Sequence, residues 1–106
     1  SQEYQPHMDT FDPDTPLGKS YLGKSGQRLI TVLCYLNDVE EGGETIFPNV
    51  DKIVYPELGK IAAFHDCYPG TETPHPGSLH GACPVKAGEK WAINLWYRVR
   101  KVEEEH

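Results

Sequence analysis

The sequence begins with an imidazole and a carboxylate that are spaced to bind one metal ion. His7 and Asp9 are separated by a single residue, so on a strand both side chains would project to the same side, about 6 to 7 Å apart at the backbone. A third ligand must come from elsewhere, and the candidates are His65, His75 and His80. Two histidines and one carboxylate on one side of a metal are typical of non-haem iron(II) oxygenases, which keep adjacent positions open for substrate and O₂. His-x-Asp alone is weak evidence, since the spacing occurs by chance in many proteins.

The three candidate histidines lie in different local settings. His65 follows one predicted strand, and His75 lies between two prolines in a predicted loop. His80 lies within a strand pattern, SLHGACPV, which would give its ring a defined direction. These residues leave the choice of third ligand open, and they also allow a zinc hydrolase with a His₂-carboxylate site.

Lys90 follows His80 across the predicted Ala87-Gly88 turn, on a strand that is otherwise heavily apolar. Lysine is rarely buried without an anionic partner. In a hairpin that turns near Ala87-Gly88, His80 and Lys90 are offset by about four positions, or roughly 13 Å along the strands. A five-carbon dicarboxylate chelated at the metal would span about that gap together with an extended lysine side chain. A zinc hydrolase would not explain Lys90.

The elements that would position these residues are mostly β-strands. Residues 28–36 (RLITVLCYL) form a near-continuous apolar run rich in β-branched and aromatic residues, which predicts a central strand covered on both faces. Further strands are predicted at 44–47, 53–55, 60–64, 78–85 and 90–99. Short strands at such spacing favour a sandwich or barrel.

Two polar stretches between these runs are predicted to lack regular structure. Residues 11–26 carry breaks near Pro13, Pro16 and Gly18, so we predict a loop there, one that could serve as a mobile lid. Residues 40–44 are predicted to form a turn whose glycines shape the backbone. No amphipathic helix is predicted anywhere in the chain.

The last predicted strand has an apolar face that lacks a covering element. Alternation along the strand places five apolar side chains on one side, namely Trp91, Ile93, Leu95, Tyr97 and Val99. Such a face normally packs on helices or on a second sheet, and the sequence offers no helix for it. We therefore expect this chain either to self-associate through a sheet face or edge, for example as a homodimer, or to fold marginally.

Composition limits the remaining possibilities. The chain has 106 residues, of which 16 are acidic and 10 basic, and a net charge of −6, which predicts one domain over 1–106 with residues 99–106 as an acidic tail. The acidic balance argues against nucleic acid partners. No apolar run is long enough to span a membrane, and the first residues carry no secretion signal. Cys34, Cys67 and Cys83 show no CxxC spacing, which favours free thiols and a cytoplasmic location.

Three motifs occur together along nearly the whole chain. They are Tyr-x-x-His-x-Asp at residues 4–9, the block RLITVLCYLNDVEEGGETIFP at residues 28–48, and His80 followed by Lys90 and Trp96. This combination resembles the catalytic core of prolyl 4-hydroxylases, which are iron(II)- and 2-oxoglutarate-dependent dioxygenases. The resemblance implies an all-β double-stranded β-helix, a jelly-roll barrel, here without the N-terminal helices and first strand of the full catalytic domain.

The resemblance also implies a role for particular residues. By matching position, His7, Asp9 and His80 would bind iron, and Lys90 would pair with the distal carboxylate of 2-oxoglutarate. The other implied roles are cosubstrate binding by Thr31, Tyr4 and Tyr35, and substrate binding by Trp96 and Arg98.

The activity that the resemblance implies is hydroxylation of peptidyl proline at C4, with release of succinate and CO₂. Fe²⁺ would be the cofactor, 2-oxoglutarate and O₂ the cosubstrates, and ascorbate is left open as a further cofactor. The partner would be a peptide or protein that contains proline. Two alternatives stay open: a related dioxygenase that acts on another amino acid or small molecule, and a non-catalytic metal-binding barrel. Whether this stretch is active by itself is also left open.

Overall fold

The structure, a computed structural model, describes residues 5–99 and consists mainly of short strands. One helix, α1 (Pro16–Ser25), precedes them. The strands are β1 (Arg28–Tyr35), β2 (Glu41–Gly42), β3 (Thr45–Phe47), β4 (Lys52–Val54), β5 (Ile61–His65), β6 (Gly81–Ala82), β7 (Val85–Ala87) and β8 (Ala92–Arg98). Single turns of 3-10 helix occupy Pro48–Val50 and Pro76–Ser78. In the described range, no helix has the length and apolar character needed to cross a membrane.

The strands form three hydrogen-bonded antiparallel sheets within residues 5–99. The first has the order β5–β1–β8, the second β4–β3–β6, and the third is the pair β2–β7. In the first sheet, Thr31 of β1 lies opposite Phe64 of β5 and Trp96 of β8. The central position predicted for the strand over 28–36 is confirmed, because β1 has a partner on each side.

The first and second sheets contact each other through their inward faces. The Tyr35 hydroxyl of β1 lies 2.7 Å from Oγ1 of Thr45 on β3. Phe47 of β3 packs edge-on against Phe64 of β5, with ring centres 4.9 Å apart. Because Thr31 and Tyr35 are each only 1% exposed, the inward face of β1 brings polar groups into the protein interior.

The segment predicted as a loop over 11–26 contains helix α1, so that prediction was wrong. The helix begins after Thr15, whose side chain accepts a hydrogen bond from the Gly18 N–H at 3.0 Å. Pro16 occupies the first helical turn, where its missing N–H costs nothing. Gly26 ends the helix with a φ of 76°. The residues that suggested breaks are therefore capping signals, and the helix was missed because it has no pronounced apolar face.

The strand predicted over 78–85 is interrupted. A break at Pro84, which has no N–H for a ladder, separates β6 from β7. β6 pairs with β3, whereas β7 pairs with β2, a two-residue strand inside the predicted turn over 40–44. This part of the chain therefore connects two sheets, and His80 lies at its start.

One face of the β5–β1–β8 sheet is apolar and is not covered by any described element. This surface, the open sheet face, consists of side chains that the strand register places on one side, namely Ile30, Val32, Cys34, Ile61, Ala63, Ile93, Leu95 and Tyr97, with His65 at the end of β5. Leu95 is 53% exposed and Tyr97 63% exposed. Among residues 5–99, the apolar face of the last strand therefore lacks a cover, as predicted.

We expect the isolated 106-residue chain to self-associate through the open sheet face, because contiguous apolar surface of this kind usually finds a partner. Leu95→Lys should shift the sedimentation velocity profile toward monomer, since the contact would then have to bury a charge. Leu17→Lys on α1, where Leu17 is 67% exposed, is the matched control and should leave the profile unchanged. A wild-type chain that sediments as a monomer and unfolds cooperatively would contradict this expectation.

Candidate active site

Three side chains that can bind a metal meet at one point, although they come from opposite ends of the chain. The backbone joins two of them: the His7 N–H donates to the His80 carbonyl at 2.7 Å, and the His80 N–H donates to the His7 carbonyl at 3.0 Å. Oδ1 of Asp9 lies 3.3 Å from Nε2 of His7 and 3.6 Å from Nε2 of His80. Such separations suit ligands that share one ion through bonds of roughly 2.0–2.2 Å. We call His7, Asp9 and His80 the triad.

His80 is oriented through its second ring nitrogen. Nδ1 lies 2.7 Å from the Ser78 carbonyl oxygen. A carbonyl only accepts, so Nδ1 carries the hydrogen and Nε2 presents its lone pair to the triad. The His80 side chain is 11% exposed, and its ring lies against the rings of Phe47 and Phe64. The hydrogen bond at Nδ1 therefore leaves Nε2 as the nitrogen that a metal ion could bind.

The two other candidate histidines lie outside the triad. His65 is at the end of β5, opposite Ile30 of β1. His75 accepts a hydrogen bond from the Gly77 N–H at its Nδ1, at 2.9 Å, and its ring stacks on Tyr68. Within residues 5–99, the triad is the group of three whose ligand atoms could hold one metal ion. The geometry therefore favours His80 as the third ligand.

The two carboxylate oxygens of Asp9 have different surroundings. Oδ2 accepts hydrogen bonds from the Thr31 hydroxyl at 2.8 Å and from Nε1–H of Trp96 at 3.4 Å. Oδ1 faces the two imidazoles of the triad. Because both donors act on Oδ2, they orient the carboxylate with Oδ1 toward the position of a metal ion.

A small cavity of about 180 Å³ lies beside the triad. Its lining combines triad residues with side chains from several strands and loops, namely His7, Thr31, Leu33, Thr45, Phe64, His80, Ala82, Lys90, Ala92 and Asn94. Cavities of about 400, 580 and 610 Å³ lie elsewhere, and none of them is lined by a triad residue. His7 and His80 of the triad therefore share one chamber with Lys90, which we call the triad cavity, and Lys90 also lines the cavity of about 610 Å³.

Lys90 lines the triad cavity as an ammonium without an anionic partner. Among residues 5–99, no carboxylate lies within ion-pair distance of its Nζ, which is 5.7 Å from the centre of the Tyr35 ring. Burial lowers the pKa of Lys90, while the nearby Cys83 and Glu44 act in the opposite direction. A partly buried ammonium is stabilised by an anion that binds beside it. The cavity therefore suits a ligand with one anionic end at the triad and another at Lys90.

A protein-family comparison covers the triad and Lys90 together. Residues 1–98 match the family model described as the 2OG-Fe(II) oxygenase superfamily. The chain belongs to the 2OG-Fe(II) oxygenase superfamily. The matched range includes every residue of the triad cavity.

The relatives of this oxygenase chain include named prolyl 4-hydroxylases. The chain is 38% identical over 101 residues to prolyl 4-hydroxylase subunit alpha-1 of Gallus gallus, and 37% identical over 101 residues to that of Homo sapiens. Each alignment covers 95% of this chain, but only 19% and 18% of the two subunits. The resemblance to prolyl 4-hydroxylases that the sequence motifs carry is confirmed.

A solved viral structure has the same architecture. The viral collagen prolyl hydroxylase from Paramecium Bursaria Chlorella virus-1, in its 2OG complex, matches with a TM-score of 0.74 and 36% identity. The match covers 92% of this chain and 52% of that chain. A truncated form of the viral protein matches with a TM-score of 0.76. The predicted jelly-roll fold is confirmed, with α1 added to an otherwise all-β oxygenase core.

The residues predicted to bind the cosubstrate have different positions in this oxygenase site. Thr31 lines the triad cavity, but its hydroxyl contacts Asp9. The ring of Tyr35 lies near Nζ of Lys90, and its hydroxyl contacts Thr45. Thr45 lines the triad cavity and was not predicted as a site residue. In the sequence Thr45 is a threonine within a predicted strand, and strand alternation does not identify the neighbour that its side chain meets. Tyr4 lies outside the described residues.

The two residues predicted to bind substrate also differ. Trp96 lies at the edge of the triad, and the Arg28 guanidinium lies 3.8 Å from the centre of its ring. Arg98 donates from Nε and Nη2 to the Gly26 carbonyl, at 3.1 and 2.8 Å. Its guanidinium therefore connects the end of β8 to the end of α1.

A second carboxylate is buried close to Asp9. Asp66 follows β5, is fully buried, and has its Oδ2 2.6 Å from the Thr31 hydroxyl. Burial, opposed by the hydrogen bond with Thr31 and assisted by the negative charge of Asp9, raises the pKa of Asp66 to about 6. Folding thus makes this carboxyl group easier to protonate than an ordinary aspartate.

We expect Asp66→Asn to stabilise the metal-free protein near neutral pH. Folding raises the pKa of this carboxyl from 3.8 to about 6, so the folded state binds the proton more tightly than the unfolded state. Its stabilising contribution is fully present below about pH 4 and is lost as the pH rises through about 6. Urea unfolding should show the variant's advantage growing over that range. Equal pH dependence of the two proteins would contradict the raised pKa.

Proposed function

We propose that this chain is the catalytic core of an iron(II)- and 2-oxoglutarate-dependent dioxygenase that hydroxylates peptidyl proline at C4 and releases succinate and CO₂. Residues 1–106 would form one domain of that enzyme. The observation that carries the proposal is that two triad residues, His7 and His80, line one small cavity together with the unpartnered Lys90 ammonium. A metal triad alone is compatible with several chemistries. A metal ion at the triad and the Lys90 ammonium beside it together favour a ligand with two anionic ends.

The donor set of the triad fits iron(II). Nε2 of His7, Oδ1 of Asp9 and Nε2 of His80 would hold the ion, since these atoms converge. Two neutral imidazoles and one carboxylate match the facial arrangement of non-haem iron(II) oxygenases, which leaves neighbouring positions open. When bound, iron(II) supplies the activation of O₂ that is coupled to oxidative decarboxylation of 2-oxoglutarate.

Lys90 would anchor the distal carboxylate of 2-oxoglutarate. A charge-assisted hydrogen bond is stronger where apolar side chains limit access of water, and Leu33 and Phe64 are apolar side chains of this kind in the lining. The hydroxyls of Tyr35 and Thr45 are our further candidates for this carboxylate, because they contact each other close to Lys90. Anchoring at the far end would hold the cosubstrate in one orientation at the triad.

Thr31 receives a different role from the cosubstrate contact that the resemblance implies. Because its hydroxyl lies 2.8 Å from Oδ2 of Asp9, we assign it to the orientation of the metal ligand. We retain Trp96 as a candidate substrate contact, because its ring lies at the edge of the triad. The hydrogen bonds of Arg98 to backbone carbonyl oxygen support a role in the fold.

A peptide or protein that contains proline is the substrate we favour. The support comes from the relatives, since the Gallus gallus and Homo sapiens proteins are prolyl 4-hydroxylase subunits and the viral structure is a collagen prolyl hydroxylase. The chain's part in the reaction would be to hold the target C–H bond near the triad and to limit access of water. Ascorbate stays a prediction.

Anaerobic titration of the iron(II) protein with 2-oxoglutarate tests the proposal. We expect a visible charge-transfer band that saturates, because a 2-oxo acid chelated to ferrous iron accepts charge from the metal. His80→Ala should abolish the band, since it removes a triad ligand. His65→Ala is the matched control, because His65 is exposed and lies outside the triad, and it should keep the band. A folded, iron-loaded protein that gives no band would overturn the proposal.

Turnover of the same preparation identifies the target. With O₂ and a proline-rich peptide, succinate release should accompany the addition of one oxygen atom to proline, located by fragment mass spectrometry. Oxygen found on another residue or on a small molecule would support the related dioxygenase instead. Binding of iron and 2-oxoglutarate without succinate release from any substrate would support the non-catalytic barrel.

Lys90→Met should weaken 2-oxoglutarate binding and, at the same time, raise the unfolding free energy of the ligand-free protein. The lowered pKa means that the buried ammonium is unfavourable until an anion binds, and methionine removes the charge while keeping most of the volume. Calorimetric titration and urea unfolding measure the two effects. Lys60→Met is the control, because Lys60 is paired with Glu57 at 3.3 Å. Unchanged 2-oxoglutarate affinity in Lys90→Met would contradict the anchor role.

A further inference from the structure

The Thr31 hydroxyl lies between two buried carboxylates next to the triad. Its Oγ1 is 2.8 Å from Oδ2 of Asp9 and 2.6 Å from Oδ2 of Asp66. Asp9 is 8% exposed, Thr31 1% and Asp66 0%. The three side chains therefore form a continuous line of hydrogen bonds that runs from a triad ligand into the protein interior.

We propose that Asp66 is a positioning residue for the iron site: through the Thr31 hydroxyl it holds Oδ2 of Asp9 in place, so that Oδ1 alone is presented to the metal. Asp9 is an iron ligand only under the proposed function, on which this inference rests. Asp66 itself touches neither the metal nor the cosubstrate in this scheme, and it is not a member of the triad.

The single hydrogen of the Thr31 hydroxyl indicates that Asp66 is a hydrogen-bond donor to Thr31. A hydroxyl carries one hydrogen, and an ionised carboxylate carries none. If both carboxylates were ionised, one of the two short contacts to Thr31 would join two acceptors. A hydrogen on Asp66 resolves this conflict, because Asp66 then donates to Thr31 and Thr31 donates to Asp9. The 2.6 Å contact between Thr31 and Asp66 is in the usual range of an O–H···O hydrogen bond.

The surroundings of the two carboxylates indicate which of them carries the hydrogen. Oδ2 of Asp9 has a second donor in Trp96, and its Oδ1 faces the imidazoles, so both oxygens of Asp9 have partners. Oδ1 of Asp66 is buried and has no hydrogen-bond partner among residues 5–99. A buried oxygen without a donor disfavours the charged form. Burial raises the pKa of Asp66 to about 6, so this hydrogen is held on Asp66 below about pH 6.

The backbone holds both Asp66 and Thr31 rigidly. The Asp66 N–H donates to the Leu29 carbonyl at 2.8 Å, and the Asp66 carbonyl accepts from the His75 N–H at 2.9 Å. Thr31 lies on the central strand and is paired on both sides. The Thr31 hydroxyl can therefore fix Oδ2 of Asp9 relative to the sheet. With Oδ2 engaged, Asp9 offers a metal one oxygen, and the neighbouring coordination positions stay available.

Iron(II) affinity and the visible spectrum of the cobalt(II)-substituted protein test this inference without turnover. Asp66→Ala should weaken iron(II) binding by about 10- to 100-fold and change the cobalt spectrum, because Asp9 loses its support. Asp66→Asn should keep most of the affinity, since an amide N–H can donate to Thr31 as the protonated acid does. Thr31→Val should reduce iron(II) affinity as much as Asp66→Ala does. The double variant should bind iron(II) no more weakly than either single variant, because each substitution breaks the same line of hydrogen bonds to Asp9.

Asp38→Ala is the matched control. It removes a carboxylate that accepts from the Leu58 N–H at 2.9 Å and does not line the triad cavity, so iron(II) affinity should stay unchanged. Thermal unfolding of the metal-free proteins detects misfolding. If Asp66→Ala does not fold, the iron(II) affinity of Thr31→Val, which lacks the hydroxyl, is compared with that of Thr31→Ser, which keeps it.

Two results would overturn the positioning role. One is wild-type iron(II) affinity in folded Asp66→Ala or Thr31→Val, and the other is an Asp66→Asn protein that binds as weakly as Asp66→Ala. A wild-type protein that binds no iron(II) would overturn the proposed function, and this inference with it. Wild-type binding with unaffected variants would overturn the role of Asp66 alone.

Discussion

The site depends on one pair of backbone hydrogen bonds, between His7 and His80. These bonds join the first described segment to a segment near the far end of the chain, and Asp9 follows two residues after His7. Because main-chain atoms make both bonds, the two imidazoles lie side by side whether or not a metal is bound. The ligands are therefore ordered by folding, and a metal ion has less conformational entropy to remove when it binds.

Polar groups occupy an interior where a purely structural barrel would hold apolar side chains. Asp9, Thr31 and Asp66 are buried together, and their oxygens share a short line of hydrogen bonds. Lys90 adds a partly buried ammonium whose pKa is lowered by burial. Buried polar groups are costly unless they are paired, so this arrangement gives up stability in the free protein. A metal ion and an anionic ligand would recover part of it, because both supply the missing partners.

Much of the fold could be predicted, because strand signals are local. The apolar run over 28–36 predicted the bounds of β1 to within one residue, and the observed strand order places β1 at the centre of its sheet as predicted. Helix α1 was missed for a physical reason: Thr15, Pro16 and Gly26 are local capping signals, but without an apolar face they look like breaks. The division of 78–85 into β6 and β7 could not be predicted, since it depends on which partner strand each half meets.

The sequence alone was enough to establish the family, the chemistry of the ligands and the presence of a cation suited to a dicarboxylate. The residue pattern left His65, His75 and His80 open and the resemblance implied His80, and the fold brings His80 to His7 and Asp9. Only the fold directs the Thr31 hydroxyl toward Asp9 instead of Lys90. Residue type is a local property, whereas contact within hydrogen-bond distance depends on strand register and on how the sheets meet. A shift of one residue along β1 would turn Thr31 to the opposite face of the sheet, and no local sequence signal specifies that register by itself.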